Sequence, residues 1–376
     1  MKRRRQNLIY YFSFVLDLSA FMCLMMLKWS WLPAILVVQF FCWLIRLYWL
    51  NKSLQAFILV RLLHMIPIML AVVAIGFMLI QLAPGDVLDQ LRLNPDISPK
   101  TLKEFEESFG LNQPWFVQFV KYITNAIKGD FGYSQSMKAP VFEIVSQRAG
   151  NTLLLALASM VLAWGFSIPA GIVSATHQYK WQDQVISFLS FTGLAIPNFF
   201  LAFLLIYLIT QTGLWLPIGG MQSPHFSSMS LPEKILDTAA HLAVPAFVLA
   251  TASMAQLTRL MRANMIEIMG RQYIITARAK GLPNHLIINK HALKNAINPM
   301  ITIFGVQLGE LLSGAALTEQ ILSWPGLGKL VLSATLSQDL YLVAGSLVYT
   351  VALIVMGNLI ADILLAITDP RVRIAL

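Results

Sequence analysis

The string Gly326-Leu327-Gly328-Lys329 is the nearest approach in this chain to a phosphate-binding loop, whose amides cradle phosphates while a lysine reaches the outermost one. It fails the pattern. No Ser or Thr follows the lysine, and no glycine stands five residues before Gly328, so the string reads as a turn. HExxH, GxSxG and histidine pairs at ligand spacing within an apolar run are also missing, which gives no support to an intramembrane hydrolase. His285 and His291 fall in a basic polar stretch, where solvated histidines are a plainer reading than metal ligands. Cys23 and Cys42 sit in apolar runs without CxxC or Cys/His spacing, so they read as core thiols rather than as a disulfide or a zinc site. Bond chemistry is not expected of this chain.

Two other groupings carry physical meaning. Gly305, Gly309 and Ser313 recur every four residues and so align small side chains on one face of a helix, the arrangement that lets helices approach closely in lipid. Glu310, beside that stripe and inside an apolar run, must be protonated, paired or wetted, and marks either an interior path or a structural hydrogen bond between helices. The second grouping is Arg271-Gln272-Tyr273-Ile274-Ile275-Thr276-Ala277-Arg278-Ala279-Lys280-Gly281-Leu282-Pro283. Its spacing predicts a short helix with cations near the C-terminal end, Gly281 as its stop and Pro283 opening the next helix. In that second helix Ile288, Ala292 and Ala296 share one face while Lys290, His291 and Lys294 stay polar. The two together would form a protruding helix–turn–helix suited to docking; the plain alternative is a basic loop that only sets topology.

The elements that position these groups are set by composition. Charged residues make up 12% of 376 and apolar residues 57%, against roughly 25% and about 45–50% in soluble domains, so the charges are too few to cover a globule in water. The chain is expected to be an all-α membrane protein forming a single bundle. Eight stretches are long enough to cross a hydrocarbon core of about 30 Å: Leu8–Leu27, Trp31–Trp49, Leu62–Ala83, Thr152–Ala175, Val185–Thr212, Leu242–Leu257, Ile297–Leu317 and Leu342–Ile367. Each must be helical, since lipid offers no partner to an open strand or loop. Asp17 and Arg46 interrupt the first two, for which an interfacial position is the alternative. Pro197 and Pro245 are read as tolerated kinks.

Orientation follows from Lys and Arg. With the N-terminus in the cytoplasm, 16 basic residues fall in inner segments and only Lys28, Lys234 and Lys329 in short outer ones. Both termini then face the cytoplasm. The long loop 84–151 translocates largely regardless of its charge, and its Pro, Gly and Asn punctuation around Phe116–Ile127 suggests a small folded outer cap. The net charge of +9 is thereby explained without nucleic acid. Lacking a nucleotide loop, a transporter of this kind draws on an ion gradient or on a separate ATPase.

Several ordered motifs add a resemblance. Thr276-Ala277-Arg278-Ala279-Lys280-Gly281-Leu282, then His291-Ala292-Leu293-Lys294-Asn295-Ala296 and Pro299, resemble the signature of permease subunits of binding-protein-dependent ABC importers, in the dipeptide/oligopeptide/nickel branch. Ala83-Pro84-Gly85-Asp86, Gly110-Leu111-Asn112-Gln113-Pro114, Gly129-Asp130-Phe131-Gly132-Tyr133-Ser134, Ser323-Trp324-Pro325-Gly326-Leu327-Gly328 and Asp369-Pro370-Arg371 match in order. The likeness covers about Phe57 to Ile374. It implies a six-helix permease domain at 57–376, with an outer loop at 84–151 and an ATPase-docking loop at 258–296, preceded by a two-span extension at 1–56. It also implies that Arg271, Tyr273, Thr276, Ala277, Arg278, Ala279, Lys280, Gly281 and Leu282 dock an ATPase; the small-residue stripe itself predicts that Gly305, Gly309 and Ser313 pack against a neighbouring permease helix and turn Glu310 towards the central pathway. Implied partners are a second, related permease, two ABC ATPases that carry the ATP and Mg, an extracytoplasmic solute-binding protein and membrane lipid. The implied place is the inner membrane of a prokaryote, and the implied cargo is a peptide or a related solute such as nickel. This chain would hold no cofactor of its own. Two departures stand out: Ile275-Thr276-Ala277 replaces the Glu-Ala-Ala of general ABC importers, so no salt bridge is expected from that position, and the extension is additional to the family core. A gradient-driven carrier, the competing class, would show inverted repeats and paired ionisable residues, and no convincing repeat is present.

Overall fold

The computed structural model describes residues 54–82, 113–314 and 316–368. The two expected N-terminal spans, the motif at 83–86, residues 110–112 and Asp369-Pro370-Arg371 lie outside these residues. The chain divides into two units, Met1–Pro67 with Arg371–Leu376, and Ile68–Pro370. The described part of the first unit is the start of α1 (Leu54–Leu82), which carries Pro67 within it. Everything below concerns the second unit.

An antiparallel hairpin, β1 (Tyr133–Ser134) and β2 (Ala139–Pro140), pairs Tyr133 with Pro140 and Ser134 with Ala139. It follows α2 (Trp115–Ile127), the expected amphipathic run, whose inner face buries Gln118 and Tyr122. The rest is helical: α3 (Val141–Thr176), α4 (Trp181–Ala195), α5 (Asn198–Thr212), α6 (Leu231–Met269) and α7 (Gln272–Ala279). Next come α8 (Asn284–Leu286), a π-helical stretch Ile287–Ala292 and α9 (Leu293–Ala296), then α10 (Asn298–Gly314), α11 (Ala316–Ile321), α12 (Leu327–Leu336) and α13 (Leu340–Thr368).

Three helices, α3, α6 and α13, are long and apolar enough to cross a membrane, and the pair α4 and α5 makes a fourth if counted as one span. A helical membrane protein is therefore what the sequence specifies. The most extensive helix pairing joins α3 to α6, where Gly171 lets Met261 come so close that an added Cβ would lie 2.6 Å from its Cβ. Leu155, Ala156 and Met160 of α3 meet Ala246 and Leu249 of α6 there, with Leu308 and Leu311 of α10 completing the cluster. The second large pairing, α10 with α13, uses the same device. Added Cβ atoms would sit 2.7 Å from Ala361 at Gly305 and 3.3 Å from Ile354 at Gly309, and Gly357 of α13 answers with 2.5 Å to Leu308.

Several expectations change in extent. Val185–Thr212 is not one continuous helix: α4 and α5 are bent by 105° at Ile196-Pro197. A proline disfavours helical torsions in the residue before it, and Ile196 is extended at ψ 118°. Pro169 and Pro245, by contrast, stay within unbroken α3 and α6, whose long mutual contact holds both helices through them. Apolarity also marked only the middle of two helices. The 36-residue α3 begins before Thr152, and the 39-residue α6, roughly 58 Å long at about 1.5 Å per residue, overruns Leu242–Leu257 at both ends. Ser230 opens α6, its N–H donating to the Glu233 carboxylate at 2.8 Å, with Pro232 in the first turn. Ile297–Leu317 resolves into α10 followed by α11, and Gly326 is the N-cap of α12 rather than part of an isolated turn.

Candidate functional site

The knob predicted between the sixth and seventh apolar stretches is built as follows. Helix α6 ends at Met269, Arg271 caps α7 in an extended conformation, and its guanidinium pairs with Glu267 one turn back. Helix α7 closes with two hydrogen bonds, Leu282 N–H to Ala277 C=O at 3.3 Å and Gly281 N–H to Arg278 C=O at 2.9 Å. This nested pair requires a left-handed residue, supplied by Gly281 at φ +75°. Pro283 then caps α8, as the sequence indicates.

Beneath α7 lies a dry seat. Ile274 and Ala277 point inward and join Ile287, Ala292, Ala296 and Met300 against Leu257, Met261 and Met265 of α6. Polar ties reinforce it: Asn264 Nδ2 donates to the Ala296 carbonyl at 3.0 Å, and Asn295 Nδ2 to the Tyr273 hydroxyl at 3.2 Å. Of the nine predicted docking residues, Arg271, Tyr273, Thr276, Arg278, Ala279, Lys280, Gly281 and Leu282 are exposed. Ala277 is buried, so it seats α7 and offers no surface to a partner. The exposed face is basic, with Lys290 and Lys294 beside it.

Along α10, Gly305 and Gly309 are buried against α13 of this same chain. Glu310 and Ser313 follow on the helix; their side chains lie outside the described residues. Gln307, a turn before Glu310, was not singled out by sequence reasoning. It is 2% exposed, its Oε1 accepts from Trp164 Nε1 at 3.2 Å, and its Nε2 has no hydrogen-bond partner among the described residues.

Three buried carboxylates were also missed: Asp339, which accepts from Ser134 Oγ at 2.7 Å and Ser136 N–H at 3.0 Å, Asp183 and Glu319. At the α3–α4 turn, Asp183 receives Arg262 Nε and the guanidinium NH2 at 2.7 Å each, together with Ser174 Oγ and Tyr179 N–H at 2.9 Å. Glu319 accepts from Thr152 Oγ1 and Lys329 N–H, both at 2.9 Å, and Thr152 in turn accepts from Leu327 N–H at 2.7 Å. Burial pushes the Glu319 carboxyl up, while the amides of Lys329 and Gly328 and the Thr152 hydroxyl pull against it. Gly326 passes directly beneath it, where an added Cβ would collide with the carboxylate. Asn151 Nδ2 donates to the Pro325 carbonyl at 2.8 Å and Trp324 Nε1 to the Asn151 carbonyl at 3.1 Å. The Trp-Pro-Gly-Leu-Gly string is thus a latch around a carboxylate at the start of α12. The available signal was an acidic residue beside a glycine-rich turn. Among the described residues, no three His, Cys, Asp or Glu side chains converge as a metal site needs.

Apolar spans joined through glycine faces, with a rigid basic knob emerging from the longest helix pair, define the membrane component of a transport system. The comparisons name the class: residues 167–374 match the family described as binding-protein-dependent transport system inner membrane component, and residues 54–156 match its N-terminal region. The chain belongs to this family. It is 43% identical to the oligopeptide transport system permease protein AppB of Bacillus subtilis, over 85% of this chain and all of that one. To the dipeptide transport system permease protein DppB of Escherichia coli K12 it is 34% identical, over 84% of this chain and 98% of that one. A glutathione transport system permease protein, GsiC of Escherichia coli, is 31% identical over 84% and 98%. The permease reading stands, and the gradient-driven alternative gains nothing from these relatives.

Proposed function

We propose that this chain forms half of the translocation pathway of an ATP-driven peptide importer. The observation that carries the reading is α7: an exposed, basic, glycine-stopped helix seated on a fully buried cluster, shaped to transmit a push from a partner. A membrane subunit without a nucleotide loop needs a rigid contact to convert ATPase closure into pore rearrangement. The peptide cargo is supported by relatives whose names specify oligopeptide and dipeptide transport.

In the assembly two ATPase subunits, which carry the ATP and Mg, meet the 258–296 segment of each permease from the cytoplasm. A solute-binding protein delivers cargo to the 84–151 side, and a related second permease completes the pore. The chain itself performs no catalysis. Residues 57–376 form the permease domain of six spans, the bent α4–α5 pair serving as one, and 1–56 adds two more, giving eight with both termini in the cytoplasm of a prokaryotic cell. Gly305 and Gly309 fix α10 against α13 so that Glu310 and Ser313 border the pathway. Uptake of a labelled dipeptide by cells with the full system tests the whole reading. It is expected to stop on ATP depletion and to persist when ionophores collapse the proton and sodium gradients; the reverse pattern overturns it.

A further inference from the structure

Helix α6 carries one face unlike the rest of its apolar surface. Ala252, Gln256, Arg259 and Ala263 recur at intervals of three and four and so share that face. Gln256, Arg259 and Ala263 are exposed, whereas Ala255, Leu257, Thr258 and Met261 between them are buried. From Ala252 to Ala263 no bulky apolar side chain stands on it. The exposed positions of α4 and α5 are the opposite, with Phe188, Leu189, Phe200 and Phe203 each more than half exposed, as contact with acyl chains requires.

The direction of the Arg259 side chain is the decisive observation. Arg262, one turn on, pairs with Asp183, and an added Cβ at Gly193 would lie 3.3 Å from Thr251 and 3.4 Å from Ala255. Helices α4 and α6 therefore run antiparallel, which sets Phe191 opposite Ala255, about 10 Å from Arg262 along the axis at about 1.5 Å per residue. The Arg259 guanidinium lies 4.9 Å from the centroid of the Phe191 ring. It is thus turned back along α6, away from the Asp183 end and over the apolar stretch. An arginine in contact with lipid extends its head the other way, to the rim. Arg259 has no ion-pair partner among the described residues. A guanidinium held inwards by an aromatic ring, on a face of small and polar residues, has water or an anion as its surroundings.

We infer that this face of α6 is a wetted wall of the translocation pathway and that Arg259 receives the carboxylate of the passing peptide. The inference rests on the peptide reading for the source of that carboxylate. Any peptide with a free C-terminus presents one, so a planar guanidinium here serves cargo of many sequences without reading side chains. A lipid phosphate offers the same anion chemistry from another source, and the test separates the two.

The complete complex, with Cys23 and Cys42 replaced by alanine, is placed in lipid nanodiscs for thiol labelling and in vesicles for uptake. Gln256→Cys is expected to react with a charged thiosulfonate, and Phe203→Cys, on a bulky apolar face, is not. Arg259→Gln should lower the maximal uptake rate of dialanine about tenfold or more, since it removes a charged hydrogen-bond partner, while Arg259→Lys keeps the charge and most of the rate. The thermal midpoint of Arg259→Gln should stay near that of the parent, because the side chain is exposed and holds only the Phe191 ring. No reaction at Gln256→Cys overturns the wetted wall, and uptake at full rate by Arg259→Gln overturns the carboxylate contact. If withdrawing anionic lipid slows the parent as much as Arg259→Gln does, the guanidinium belongs to a lipid phosphate and the inference is overturned as well. If the parent takes up no peptide at all, the peptide reading falls, and the labelling of Gln256→Cys still judges the wall.

Discussion

Asp183 and Glu319 are both buried acids held in different ways, Asp183 by the Arg262 guanidinium and Glu319 by the Lys329 amide and the Thr152 hydroxyl. For Glu319 the folded value lies above the ordinary 4.5, so its contribution is fully present below about that pH and is lost as pH rises through the shifted value. Glu319→Gln should therefore flatten the decline in thermal midpoint as detergent-solubilised protein is taken upward from pH 4.5. A decline as steep as in the parent would contradict the assignment. Arg262→Met strands a buried carboxylate and should cost about 2 kcal/mol, less than a fully buried pair because Arg262 is 29% exposed; adding Asp183→Leu should recover part of the loss. Neither latch was legible beforehand. A single charge at the rim of an apolar run gives no hint that its partner lies 79 positions away.

Helix α7 shows what local rules do reveal. Its start, its glycine stop and the proline of the next helix follow from torsional preferences that act within a few residues, and all three are present. The two kinds of glycine then separate by experiment. A Cβ at Gly281 meets nothing within 4 Å, so Gly281→Val pays only backbone strain, about 1–2 kcal/mol, confined to the knob. The expected outcome is a thermal midpoint near that of the parent, with ATP hydrolysis uncoupled from peptide uptake in reconstituted vesicles. At Gly305 the Cβ would intrude on Ala361 and on the Asn358 backbone, so Gly305→Leu should instead destabilise the α10–α13 pair and lower the yield of folded protein. The bend at Ile196-Pro197 was illegible for the converse reason: Pro169, Pro197 and Pro245 all lie in apolar runs, and only tertiary contact decides which of them breaks its helix.

Across the whole membrane unit the two latches take on a common meaning. Thr152, bound to Glu319, and Ser174, bound to Asp183, are both on α3 and 22 residues apart, or roughly 33 Å at about 1.5 Å per residue, close to the hydrocarbon thickness. No charged residue lies between them. The polar networks are thus spaced as the two edges of a bilayer are, where a desolvated acid can be supplied with donors without crossing the apolar core. Between them only 33% to 44% of the apolar windows of α3, α6 and α13 is buried within the chain, which leaves apolar faces for contacts outside it. The basic knob lies toward the Asp183 end of α3 and the β-hairpin toward its Glu319 end, and the 16 to 3 bias of the short segments is the ground for expecting the knob on the inner side. In a background with Cys23 and Cys42 replaced by alanine, a cysteine at Met137, exposed on the hairpin turn, should react with an impermeant maleimide added to intact cells. One at Ala279, exposed on α7, should react only after permeabilisation. A third, at Trp29 between the two expected N-terminal spans, should behave like Met137 if both spans cross; protection there, with Met137 still reactive, would place the extension on the membrane rather than through it.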